Sequence, residues 1–101
     1  MNKIKMCQVS ELSPGKAIEK RILARRVSVI NDNGTVYGIE SDCKHMKASL
    51  GTSKVNNGVV TCRWHGWRYD LKTGKCLTVE KMDLKTYEVE IADDNIYVLL
   101  P

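Results

Sequence analysis

The chain has 101 residues, 43% of them hydrophobic and 28% charged, and a net charge of +4. That length carries one domain with a modest core, and the charge excess is far below the dense basic stripe of a nucleic-acid-binding protein. Met1-Asn2-Lys3-Ile4-Lys5-Met6 lacks the apolar core of a signal peptide, and Ile96-Tyr97-Val98-Leu99-Leu100 is too short to span a bilayer. The expectation is a cytoplasmic protein with neither nucleic acid nor membrane as partner.

In chain order, most of the sequence reads as short strands. Lys5 to Val9 is the first, and Ser13-Pro14-Gly15 turns the chain. Ala17 to Leu23 and Arg26 to Ile30 are rich in β-branched residues. Asn31-Asp32-Asn33-Gly34 signals a tight hairpin that returns through Thr35 to Ile39. Asn56-Asn57-Gly58 turns into Val59-Val60-Thr61, and Lys72-Thr73-Gly74 is a further turn. Thr86 to Ile91 alternates, with Tyr87, Val89 and Ile91 on one face, and Asp93-Asp94-Asn95 leads into Ile96 to Leu100. Val79 to Lys85 is the sole helix candidate and has no apolar stripe. Many short strands with closely spaced turns predict an all-β fold, an antiparallel sandwich or small barrel.

Residues 43 to 76 differ from their flanks. They hold both histidines, both tryptophans and three of the four cysteines. In a reducing compartment four cysteines are not expected as two structural disulfides, so metal ligation leads. The pattern is Cys43-x-His45, sixteen residues, then Cys62-x-x-His65. Two thiols and two imidazoles form a complete set of four donors. Zinc would accept them, although the commonest zinc finger takes both cysteines from one hairpin and both histidines from a helix. Two loops that each bear one Cys and one His can also hold two metals, with thiolates on one and imidazoles on the other.

That second arrangement resembles the Rieske family of [2Fe–2S] proteins, in which two His replace two Cys on one iron. Cys62-Arg63-Trp64-His65-Gly66-Trp67-Arg68-Tyr69-Asp70-Leu71-Lys72-Thr73-Gly74 is similar to the family's second cluster loop, and Cys43 to Gly51, with its Leu-Gly after the His, to the first. The resemblance extends over nearly the whole chain. It implies an all-β, Rieske-like antiparallel β-sandwich or barrel over residues 1–101, with a small two-loop cluster-binding subdomain at about 43–76. It also implies one Rieske-type [2Fe–2S] cluster per chain, held by Cys43, His45, Cys62 and His65.

The departures from the family matter. The respiratory and photosynthetic members carry a disulfide between the two loops; Ala48 and Trp64 stand where its cysteines would lie. Trp67 stands where those members have a serine that bonds a cluster sulfide. Fewer hydrogen bonds to sulfur predict a potential near the low end of the range, roughly −150 mV. Tyr69 acts the other way, since it holds the position of a tyrosine that donates to a ligand sulfur. The family's proline-rich third loop is missing, so residues 75–85 must cover that side differently.

Other residues have plainer expectations. Cys7 and Cys76 lack motif partners and are expected as free, buried thiols. Trp67 is expected to be buried and Trp64 exposed. Lys44, Lys47, Arg63 and Arg68 put positive charge beside the loops, suited to an acidic partner. Gly51, Gly58, Gly66 and Gly74 serve backbone geometry, and a side chain at Gly66 would crowd a cluster. With both histidines in the ligand set and no phosphate-cradling loop, no catalytic constellation is left. The resemblance then implies a monomeric electron carrier, not an enzyme, running from a flavin-dependent NAD(P)H reductase to a terminal oxygenase. The alternatives are a small subunit of an assimilatory nitrite reductase and a zinc-stabilised interaction module.

Overall fold

In the computed structural model the described residues are 2–43, 50, 54–63 and 66–100. They form nine strands: β1 (Asn2–Gln8), β2 (Ala17–Ile22), β3 (Arg25–Asp32), β4 (Thr35–Glu40), β5 (Lys54–Asn56), β6 (Val59–Thr61), β7 (Arg68–Asp70), β8 (Thr86–Ala92) and β9 (Asn95–Leu100). Their hairpins are tight because the turn residues accept a left-handed backbone. Asp32 pairs with Thr35 across Asn33 (φ 53°) and Gly34 (φ 99°), and Asn31 Oδ1 accepts from the Gly34 N–H at 2.8 Å. The same two-residue geometry joins Asn56 to Val59 and Ala92 to Asn95.

The larger sheet has six antiparallel strands in the order β1-β9-β8-β4-β3-β2. Its two end strands approach each other, and Lys20 Nζ on β2 donates to the Lys5 carbonyl on β1 at 3.0 Å. The sheet is therefore nearly closed. Gly38 stands where β4 meets β8: a Cβ there would lie 3.0 Å from the Tyr87 carbonyl oxygen and 3.2 Å from Val89 Cγ2. The smaller sheet runs β5-β6-β7, and a bridge from Tyr69 to Cys76 extends it.

Two apolar clusters fill the interior. One, inside the larger sheet, gathers Met6, Cys7, Leu12, Val27, Val29, Ile96, Val98 and Leu100. Full burial of each such aliphatic side chain contributes about 1.5–3 kcal/mol. The other joins Ile30 and Ile39 of the larger sheet to Leu50, Val60, Tyr69, Leu71, Leu84 and three cysteines. A polar contact also joins the sheets: Asp32 Oδ2 on β3 accepts from the Gly58 N–H in the β5–β6 turn. Within the smaller unit Leu71 N–H donates to the Gly58 carbonyl at 2.8 Å, and at the β4–β8 side of the larger sheet Lys85 N–H donates to Glu40 Oε1 at 2.7 Å.

The structure departs from the sequence reading in small elements. β5 and β7 were not singled out, since each spans three residues with one apolar side chain between polar ones. Val79 to Lys85 form turns and irregular backbone rather than a helix. A short 3-10 turn, Val9–Glu11, follows β1, where Glu11 Oε1 accepts from the Gln8 N–H at 2.8 Å. On β8, Tyr87 and Val89 pack on the aliphatic cluster, but Ile91 is 55% exposed, although its partner across the ladder, Ile96, is buried in that cluster.

Candidate metal centre

The first arm leaves the end of β4. Ser41 N–H continues the ladder to the Arg26 carbonyl at 2.9 Å, and the Ser41 carbonyl accepts from Leu50 N–H at 2.7 Å. These two bonds fix both ends of the segment that carries Cys43, whose side chain is fully buried. The second arm leaves β6. Cys62, also buried, donates its N–H to the Trp67 carbonyl at 2.7 Å, which closes a tight loop over Arg63 and Gly66. Gly66 has φ 71°, and no described atom comes within 4 Å of a Cβ built there, so in the described surroundings its backbone conformation is what favours glycine.

β7 connects the two arms. Tyr69 is fully buried, and its Oη lies 3.2 Å from Cys43 Sγ. The turn after β7 is tightly held: Asp70 Oδ1 accepts from the Lys72 N–H at 2.8 Å, and Gly74 N–H donates to the Asp70 carbonyl at 2.7 Å. Residues 75–78 run back along β7, with Leu77 N–H on the Arg68 carbonyl at 2.7 Å. Cys76 is anchored there by Asp83 Oδ1, which accepts its N–H at 2.9 Å, while Cys76 Sγ accepts from Val79 N–H at 3.4 Å. Cys7 and Cys76 are both free and buried, as expected. Burial, with Glu11 nearby, pushes the Cys7 thiol pKa up from its ordinary value.

The four sequence-predicted ligands divide evenly. Cys43 and Cys62 are brought into one packed cluster with Tyr69. His45 and His65 lie outside the described residues, as do Lys44, Lys47, Ala48, Gly51 and Trp64. Trp67 is half-buried against the same cluster, less covered than predicted. Arg63 and Arg68 are exposed. A cavity of about 470 Å³ opens beside Cys62, lined among the described residues by Lys54, Thr61, Cys62 and Arg63.

The thiol pair fits an iron–sulfur centre on chemical grounds. Neither sulfur is in a disulfide. A buried thiolate needs a cation, and a metal supplies it. The Tyr69 hydroxyl is placed to donate to a sulfur that carries negative charge. One group of residues around the first arm was missed in the sequence: Glu19, Arg26, Ser28, Ser41 and Asp42. No motif marks them, though Ser28 between Val27 and Val29 was the available hint.

A small all-β protein with two buried, disulfide-free cysteines in one cluster has the general build of a small metal-binding protein. The comparison with family models is specific: the Rieske [2Fe-2S] domain matches residues 2–88. The chain belongs to that family, and its cofactor is a Rieske-type [2Fe–2S] cluster, which displaces the zinc alternative. The chain is 33% identical over 104 residues to the 3-phenylpropionate/cinnamic acid dioxygenase ferredoxin subunit of Escherichia coli strain K12, covering 100% of this chain and 96% of that one. A chain of the complex of reduced oxygenase and oxidized ferredoxin in carbazole 1,9a-dioxygenase superposes with TM-score 0.87 at 28% identity, covering 95% of this chain and all of that one. A structure proposed to be an NADPH nitrite reductase small subunit superposes with TM-score 0.85 at 25% identity, covering 99% and 100%. Human apoptosis-inducing factor 3 is 29% identical over 94 residues, and this chain spans 16% of its length. Among the described residues no helix is long and apolar enough to cross a membrane.

Proposed function

We propose that the protein is a one-electron carrier, a single Rieske domain that takes an electron from a flavin-dependent NAD(P)H reductase and delivers it to a terminal oxygenase in the cytoplasm. The ligand set of this reading is Cys43 and Cys62 on one iron and His45 and His65 on the other. When bound, the cluster supplies reversible one-electron chemistry at a potential above that of an all-thiolate [2Fe–2S] centre. The chain's own residues do the rest. Cys43 and Cys62 serve as thiolates in a packed, water-poor cluster. Neutral imidazoles at His45 and His65 keep the oxidised centre uncharged. The Tyr69 hydroxyl donates to Cys43 Sγ and favours the more negative, reduced state. The exposed guanidinium groups of Arg63 and Arg68 suit an acidic partner surface.

The observation that carries the proposal is the 3.2 Å contact between Tyr69 Oη and Cys43 Sγ inside the cluster that also buries Cys62. Two dioxygenase relatives, the ferredoxin subunit and the ferredoxin–oxygenase complex, support the choice of acceptor. The test is to purify the protein without oxygen and assay iron, labile sulfide and visible charge-transfer bands, then to mix it with a flavoprotein reductase and an oxygenase. Red-brown protein with about two irons and two sulfides per chain, reducible and reoxidisable, is expected. Colourless protein with stoichiometric zinc would end the proposal.

The likeness to the nitrite reductase small subunit favours a second reading, a ligand-bearing subunit in a stable complex. Co-purification with a large redox subunit would support it, and isolation as a free monomer supports the carrier.

A further inference from the structure

Around the root of the first arm lies a line of polar side chains that electron transfer by itself does not require. Ser28 and Ser41 are fully buried, with hydroxyl oxygens 2.8 Å apart. Ser41 Oγ donates to Glu19 Oε1. An ionised carboxylate only accepts, so the one hydroxyl proton of Ser41 is committed there and Ser28 is the donor between the serines. Glu19 Oε2 faces Arg26 Nη1 at 3.7 Å, and Arg26 Nη2 is paired with Asp42 Oδ1. The line thus starts in the middle of β3 and ends on Asp42, the residue before Cys43. Ser41, in the middle of it, is also held by its backbone to Arg26 and to Leu50.

We infer that Arg26 is a positioning residue of the metal centre and that its charge sets part of the potential: it ties down the backbone entering Cys43 and neutralises the Asp42 carboxylate next to that ligand. This rests on the reading of Cys43 as a ligand. The physical reason is that a negative charge beside the cluster opposes the incoming electron, while a cation paired with that charge cancels most of its field. Arg26 and Asp42 are only partly covered, with side chains 28% and 36% exposed, so added salt weakens the effect without abolishing it.

Structural support and charge make different predictions. Arg26→Gln and Asp42→Asn break the same ion pair, so a purely structural pair would move the potential the same way in both. Charge moves it in opposite directions.

The experiment compares the loaded wild-type protein with Arg26→Gln, Asp42→Asn and Arg26→Lys. Visible absorption first verifies the cluster, and redox titrations follow at low and high salt. Expected are a more positive potential for Asp42→Asn, a more negative one for Arg26→Gln, a value near wild type for Arg26→Lys, and smaller differences at high salt. Loaded variants that shift the same way or not at all, or a lysine variant that behaves like the glutamine one, overturn the inference and leave the ligand reading intact. If Arg26→Gln does not fold, Asp42→Asn decides: a positive shift that shrinks at high salt supports the inference, and a negative, absent or salt-independent shift overturns it. Wild-type protein without iron sinks the ligand reading, and this inference with it.

Discussion

The two sheets are built on different principles. The larger one buries an almost purely aliphatic cluster and continues its ladder through six strands until its ends nearly meet. The smaller one has three strands of three residues each, and the cluster it shares with Ile30 and Ile39 of the larger sheet mixes aliphatic residues with Cys43, Cys62, Cys76 and one buried tyrosine. Cysteine contributes less apolar area than the valines and isoleucines opposite. With Cys43 and Cys62 as proposed ligands, the expectation is that the larger sheet carries more of its own stability while the smaller one draws on metal ligation, since bonds to a metal in the folded state are folding free energy.

Removing the metal is the strongest way to break that contrast. Stripped of iron under reducing conditions, the protein should lose amide protection at Leu50, Cys62 and Leu71, by about 100-fold or more. The first two amides close the arms, and the third ties the end of β7 to the β5–β6 turn. Val29 and Val98, within the larger sheet, should change far less. Hydrogen exchange read residue by residue checks this, and equal loss in both sheets would show that they melt as one unit.

A matched pair of glycine substitutions comes next. Gly74 has φ 79°, and a Cβ there would stand 2.2 Å from the Leu84 carbonyl oxygen, a backbone atom held in place by the Leu84 N–H bond to Gly74. Gly74→Ala should cost about 3 kcal/mol or more. At Gly38 the nearest contact is 3.0 Å and φ is not positive, so Gly38→Ala should cost about 1–2 kcal/mol. Urea unfolding of the loaded proteins gives the order, and a reversed order would mean that the turn after β7 yields more easily than the β4–β8 junction.

Tyr69→Phe sharpens the contrast with a smaller effect. It removes one hydrogen bond to Cys43 Sγ and leaves the ring in place. About 1 kcal/mol lost from the reduced state corresponds to a potential lower by about 40 mV. A redox titration measures it, with unfolding midpoints nearly unchanged.

Most of the larger sheet was legible because its signals are local. Asn33-Gly34 and Asp93-Asp94 mark turns by their backbone preferences, and Val27-Ser28-Val29 marks a strand. The four candidate ligands are named from spacing and likeness to a known loop; the structure brings Cys43 and Cys62 into one buried cluster, and His45 and His65 lie outside the described residues. β5 and β7 were not legible, because Lys54-Val55-Asn56 and Arg68-Tyr69-Asp70 become strands only by pairing with β6 on either side. The line from Ser28 to Asp42 was hidden for the same reason: its members come from β2, β3 and the segment after β4, which only the sheet brings together.

The smallest predicted effect tests whether the larger sheet is as self-sufficient as its aliphatic cluster implies, through the one thiol in that cluster. Cys7 is buried there, and its pKa lies above the ordinary value of 9.0, chiefly through burial and secondarily through Glu11. When a thiol is harder to ionise in the folded state, the unfolded chain gives up its proton first. The stability that Cys7 contributes is therefore complete below about pH 9 and is lost as pH rises toward and through the folded value. Cys7→Ala removes this dependence, whatever constant penalty the missing sulfur adds. Unfolding free energies of both proteins at about pH 8 and about pH 10.5 should show a steeper decline in the wild type, and subtracting the two slopes cancels the lysines and tyrosines that titrate in the same range. Equal slopes would mean that the Cys7 thiol ionises as readily in the folded chain as in the unfolded one, so that burial at the β1–β9 pairing does not hold its proton.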